Sequence, residues 1–157
     1  MFFTRPYKKA ILAEIKKKPL FAERWFYITK HKEKLVFDYH DFETRLTSIT
    51  GGSARIIYKK DGTLIGELFF SFLEDDPRFS HLTDVLDAVA DDGIDDISVF
   101  AERKHKPAPR SVVVSTIEGV TKQNIRDSAY RLLDTMTAIV EDYASDGDED
   151  EEEYEEE

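Results

Sequence analysis

The chain has 157 residues, one domain's worth, and its 41% hydrophobic composition allows a modest core. It contains no cysteine, which excludes disulfides and cysteine-ligated zinc or iron–sulfur sites and points to a reducing, cytoplasmic setting. The net charge of −11 divides into +8 over residues 1–60, −10 over 61–100, +3 over 101–140 and −12 over 141–157. A nearly balanced body with a polyanionic tail argues against a DNA mimic.

Pro6 stands at the first turn of a helix, and Tyr7, Ile11 and Ile15 follow at a spacing of four. Lys8, Lys9 and Lys16 to Lys18 fill its other faces until Pro19 ends the run. Lysines interrupt each apolar stretch here, so the reading has no signal peptide, and no later segment is long enough to span a membrane. Strands are expected over Trp25–Thr29 and Leu35–Tyr39, the latter with Leu35, Phe37 and Tyr39 on one face. Residues 40–53 read as a turn and a short strand.

Asp61-Gly62 lies between two β-rich runs and predicts a type I′ hairpin turn with positive φ at both residues. Leu64, Gly66, Leu68, Phe70 and Phe72 then share a strand face. Asp76-Pro77 caps a helix whose stripe is Leu82, Val85, Leu86 and Val89. Ile94–Ala101 and Ser111–Ile117 predict two strands joined by a basic loop. A last helix, from about Thr121 to Tyr143, carries Ile125, Ala129, Leu132, Met136, Ile139 and Tyr143 along one side. The domain is expected to occupy residues 1–143. Residues 144–157 hold too little apolar surface to offset ordering and are expected to be a disordered acidic tail.

These elements define an α+β fold: a mostly antiparallel sheet of about six strands with N-terminal, middle and long C-terminal helices. In element order over residues 6–143, in size and in low pI, the chain resembles type III secretion chaperones and the related YbjN-like proteins. The leucine–glycine repeats of such chaperones are absent. The resemblance implies a homodimer that binds an extended segment of a client protein.

No nucleophile stands beside an oriented base. There is no G-x-S-x-G elbow, and Gly51-Gly52-Ser53 lacks the lysine and spacing of a P-loop. His31, His40, His81 and His105 show no paired ligand spacing. Asp146, Asp148, Asp150 and Glu157 sit at EF-hand positions, but Glu151 occupies the place of the required glycine. The reading is therefore non-enzymatic, with no catalytic residue, metal, cofactor or small-molecule substrate.

Two binding functions follow. A protein-binding adaptor or chaperone-like dimer would use Phe69 and Leu73, because the strand Leu68–Leu73 is apolar on both faces. Its partner would be a client or a second copy. The alternative is a single-stranded nucleic-acid binder. It would use Lys8, Lys9, Trp25, Tyr27, Lys30, Lys32 and Lys34 with Arg103, Lys104, Lys106 and Arg110, since lysines neutralise phosphates and rings stack on bases. In that case the acidic tail would compete for the groove. The −10 of residues 61–100 favours the protein-binding reading.

Overall fold

A computed structural model describes residues 4–39, 54–70, 77–91, 97–104 and 110–156. In chain order the elements are α1 (Thr4–Ile15), α2 (Pro19–Ala22), β1 (Tyr27–Lys30), β2 (Lys34–Tyr39), β3 (Ala54–Lys59) and β4 (Leu64–Phe70). They continue with α3 (Pro77–Asp91), β5 (Ser98–Lys104), β6 (Arg110–Ile117) and α4 (Ile125–Glu156). The strands form one six-stranded sheet of order β1-β2-β3-β4-β6-β5. Every neighbouring pair is antiparallel. The α+β architecture is the one expected.

The alternation of the strands decides which face is covered. Leu35, Phe37 and Tyr39 of β2, Ile56 and Tyr58 of β3, and Leu64, Leu68 and Phe70 of β4 are buried in one continuous core. Helices lie on that face: α1 against β2 and α4, α4 across β4 and β6, and α3 between α4 and β5. Ile125, Ala129, Leu132, Met136 and Ile139 form the buried stripe of α4, with Leu133 and Val140 beside it. Close approach of α4 to the sheet occurs at Gly66, where a Cβ would stand 2.5 Å from Met136 Sδ.

Two local readings change. Pro19 does end α1, but it also opens α2, since a proline at the first helical position gives up no intrahelical hydrogen bond. Phe21 of that turn is fully buried, edge-on to Tyr39 at 5.6 Å. The β3–β4 turn is not type I′, because Gly62 has φ +93° while no non-glycine residue has positive φ among the described residues. Gly62 N donates to Lys59 O at 2.9 Å and Lys59 N to Thr63 O at 2.8 Å. This is a three-residue loop ending in a left-handed glycine. The backbone of α4 runs as a helix from Ile125 to Glu156. Glutamate is a good helix former and no proline interrupts it. The last buried residue of α4 among the described side chains is Val140.

Residues 40–53, Phe72 and residues 105–109 lie outside the described residues, as does Leu73.

Candidate interaction surface

The strand positions that point away from the helices meet no helix among the described residues. The pairing aligns them in rows across the whole sheet. One row runs Tyr27, Asp38, Arg55, Glu67, Val114, Phe100 from the β1 edge to the β5 edge. The next runs Thr29, Val36, Ile57, Ile65, Thr116, Ser98.

The centre of the first row is charged. Arg55 Nε lies 3.7 Å from Asp38 Oδ1, and Arg55 Nη1 lies 3.7 Å from Glu67 Oε1. These are ion-pair separations, longer than hydrogen bonds. Arg55 Nε and Glu67 Oε1 are buried and have no hydrogen-bond partner among the described residues.

The ends of the row are aromatic and exposed. Tyr27 and Phe100 are each 49% exposed, and Trp25, just ahead of β1, is 69% exposed. Trp25 and Tyr27 touch edge to face, with ring centroids 4.6 Å apart. Three of the four exposed large hydrophobic residues among the described ones therefore rim the sheet face turned away from α1, α3 and α4. The fourth, Tyr130, lies under the ammonium of Lys18 at 4.8 Å.

Phe69 is on this face but is not an exposed patch residue, being only 3% exposed. It packs against Val112, and the guanidinium of Arg55 sits 5.2 Å from its ring. The exposed apolar character expected at Phe69 lies instead at Phe100, Tyr27 and Trp25. Phe100 is the residue the sequence reading missed; the alternation of β5, paired with its β6 neighbour, places it opposite Val114.

The basic residues fall into three groups. Lys8 and Lys9 are on α1, in the helix layer. Lys30, Lys32 and Lys34 are exposed on the β1–β2 hairpin, next to the turn of β3–β4, where Lys60 N donates to Glu33 O. Arg103 and Lys104 end β5, and Arg110 begins β6 opposite Lys104. Lys106 is outside the described residues. Since β1 and β5 are opposite edges and these two hairpins turn at opposite ends, the two strand-borne groups occupy diagonal corners of the sheet.

Among the described residues there is no group of three or more His, Cys, Asp or Glu side chains arranged to hold a metal ion. No described helix is long and apolar enough to cross a membrane.

No protein-family model matches the chain. No curated protein matches it. Among solved structures it is similar to the crystal structure of YbjN, a proposed transcription regulator from E. coli. The identity is 13%, the match covers 86% of this chain and 90% of that one, and the TM-score is 0.47.

Proposed function

We propose that this chain is a non-enzymatic, protein-binding adaptor and that the sheet face turned away from α1, α3 and α4 is its contact surface. The observation that carries this reading is the exposed aromatic rim, Trp25 and Tyr27 at one edge and Phe100 at the other. Exposed tryptophan and tyrosine are common anchors of protein interfaces, and a polar centre with apolar flanks suits a surface that must also exist uncovered. In this reading residues 1–143 are the binding domain and 144–157 an acidic appendage.

A photo-crosslinking side chain placed at position 100, with position 130 as control, tests it. Protein adducts are expected from position 100 and not from position 130. Equal labelling from both positions, or none from either, overturns it.

The nucleic-acid reading retains one observation: Trp25 and Tyr27 stand in the same hairpin unit as Lys30, Lys32 and Lys34. Lys30→Glu with Lys32→Glu then has to weaken a strongly salt-dependent affinity for a single-stranded oligonucleotide. The adaptor reading expects little affinity to weaken.

A further inference from the structure

From the charge pattern at the hairpin ends we infer that β1 and the lysines beside its tip bind an acidic, extended segment of a partner protein. The inference rests on the reading that this side of the sheet binds protein, and it names the chemistry of what is bound.

The pairing builds the site. His31 N donates to Lys34 O at 2.8 Å, Lys34 stands opposite Lys59, and Lys59 N donates to Thr63 O at 2.8 Å. This is the row beyond Thr29, Val36 and Ile57, on the same face as Tyr27. It sets two lysines directly across from one another, an arrangement that costs stability in a sheet. Lys30, Lys32 and Lys60 stand at the same hairpin ends, where Lys60 N donates to Glu33 O at 2.9 Å. Residues 30–34 and 59–61 hold five lysines against two carboxylates, those of Glu33 and Asp61, and all seven residues are exposed.

Elsewhere the chain neutralises its cations. Lys17, Lys18, Arg55, Arg126 and Arg131 each face a carboxylate. Among the described residues, none of the five hairpin lysines forms an ion pair. Repulsion is thus kept at one corner, where the clustered charge attracts an anion from outside.

The lysines continue into the exposed aromatic pair. Tyr27, Thr29 and His31 alternate outward along β1, and all three are exposed. The buried centre of the face, Val36 and Ile57, takes no part in the contact. Tyr27 pairs with Asp38, four residues along β2 from Lys34, so about 13 Å separates the ring from the lysine row. An extended segment spanning that distance places carboxylates on Lys34 and Lys59. Four residues further along it, a large apolar side chain meets Tyr27 and Trp25. The charges orient the segment and the rings anchor it.

Two observations favour a protein segment over a nucleic-acid strand. The cluster is lysine throughout, point charges in place of the planar arginine fork that suits phosphate. The second observation is Asp38, the cross-strand neighbour of Tyr27. A strand that stacked a base on Tyr27 would carry phosphate past that carboxylate, whereas a peptide can be charged at one end and apolar at the other.

Fluorescence anisotropy on the full chain tests the inference with a labelled peptide of four glutamates, a Gly-Ser-Gly spacer and a phenylalanine. Binding is expected at low salt and is expected to weaken as salt rises. Lys34→Glu with Lys59→Glu is expected to weaken it about tenfold or more, since two surface attractions become repulsions. Lys9→Glu with Lys16→Glu makes the same change of charge in the helix layer and is expected to leave the affinity nearly unchanged. Tyr27→Ser is expected to weaken this peptide several-fold and to leave a version ending in serine unaffected. Lys34→Glu alone turns a like-charged cross-strand pair into an opposite one, so it is expected to weaken binding without lowering the urea midpoint. That variant keeps the test decisive if the double reversal misfolds. No peptide binding at low salt overturns the inference, as do equal losses in the hairpin and helix variants. A thymidine oligonucleotide of equal charge that binds more tightly than the peptide also overturns it, in favour of nucleic acid. Crosslinks to proteins from position 100, without peptide binding, would sink the acidic segment and leave the protein-binding reading standing. Peptide binding that the hairpin variants abolish, without such crosslinks, supports the β1 site and overturns the wider sheet face.

Discussion

Glu14 of α1 and Arg126 of α4 join the two helices through one carboxylate oxygen. Arg126 Nε donates to Glu14 Oε2 at 3.0 Å, Arg126 Nη2 is 3.0 Å from the same oxygen, and Lys17 Nζ donates to it at 3.2 Å. Glu14 is 3% exposed, so these cations stand where water would otherwise solvate it. Arg126→Ala leaves a buried carboxylate with Lys17 alone and should cost about 1–3 kcal/mol. Glu14→Met with Arg126→Leu removes both charges and should regain most of that loss, since an apolar pair of similar volume is often no worse than a buried ion pair. Urea melts of the two single variants and the double variant measure the coupling. Strictly additive losses would mean that the pair does not hold α1 to α4.

Much of the covered face was legible in the sequence, because period-two and period-3.6 patterns both point into one core. Leu35, Phe37 and Tyr39, the α3 stripe, and Ile125 to Ile139 of α4 are all buried as their spacing implies. The outer face was not legible, and the reason is register. A two-residue turn at Asp61-Gly62 would pair Lys60 with Thr63 and therefore Arg55 with Leu68. The three-residue loop pairs Arg55 with Glu67 instead. A slip of one residue exchanges the two faces of a strand against its neighbour, so the charged row and its aromatic ends cannot be assembled from the sequence until the turn type is known. Phe69 illustrates the second obstacle. Its placement on the outer face follows from alternation, but the guanidinium that sits over it comes from another strand.

The glycine of that turn is the sharpest local test. Gly62 has φ +93°, and a Cβ there would stand 3.1 Å from Val120 O, whose own amide donates to Gly62 O at 2.8 Å. Gly62→Val should cost on the order of 1–2 kcal/mol through backbone strain, and Gly62→Asn less, because asparagine tolerates positive φ better. Equal stability for glycine, asparagine and valine in chemical denaturation would place the left-handed residue elsewhere.

Gly66 serves a different purpose, the close packing of α4. Gly66→Val would press on Met136 Sδ and on Leu132 Cδ1, the latter 3.3 Å from a new Cβ, and should cost about 1–3 kcal/mol by overpacking. Met136→Ala frees that space, so the double variant should be more stable than the sum of the single losses implies. Additive losses would show that Met136 is not what the new side chain meets.

Alkaline pH should loosen the same core. Burial pushes the phenol of Tyr39 well above its ordinary range. For Tyr58 burial acts first, followed by the hydrogen bond and charge of Tyr7 and the charge of Asp61, all in the same direction. A raised phenol favours the neutral form in the folded state, so its contribution is fully present below the ordinary tyrosine value near 10 and is lost as pH rises beyond it. Melting temperatures should therefore fall above pH about 10. Tyr39→Phe should flatten that alkaline limb, because the group that must ionise is gone. An alkaline limb unchanged in Tyr39→Phe would mean that Tyr39 does not contribute to it and that Tyr58 or the lysines set it.

The last helix separates a packed half from a charged one. Its buried stripe reaches Val140, and residues 141–157 carry a net charge of −12. Acidic side chains three and four apart on one helix repel one another. Helicity in this stretch should therefore rise with salt or on protonation of the carboxylates, while the packed part should respond little. Truncation after Tyr143 should leave the melting temperature within a few degrees, or raise it slightly by removing self-repulsion from the folded state. The far-ultraviolet helical signal should drop on truncation only under conditions where the acidic stretch is helical. Comparing intact and truncated chains by circular dichroism at neutral and acidic pH, in low and high salt, separates these effects. A large loss of cooperativity on truncation would show instead that residues beyond Tyr143 pack against the domain.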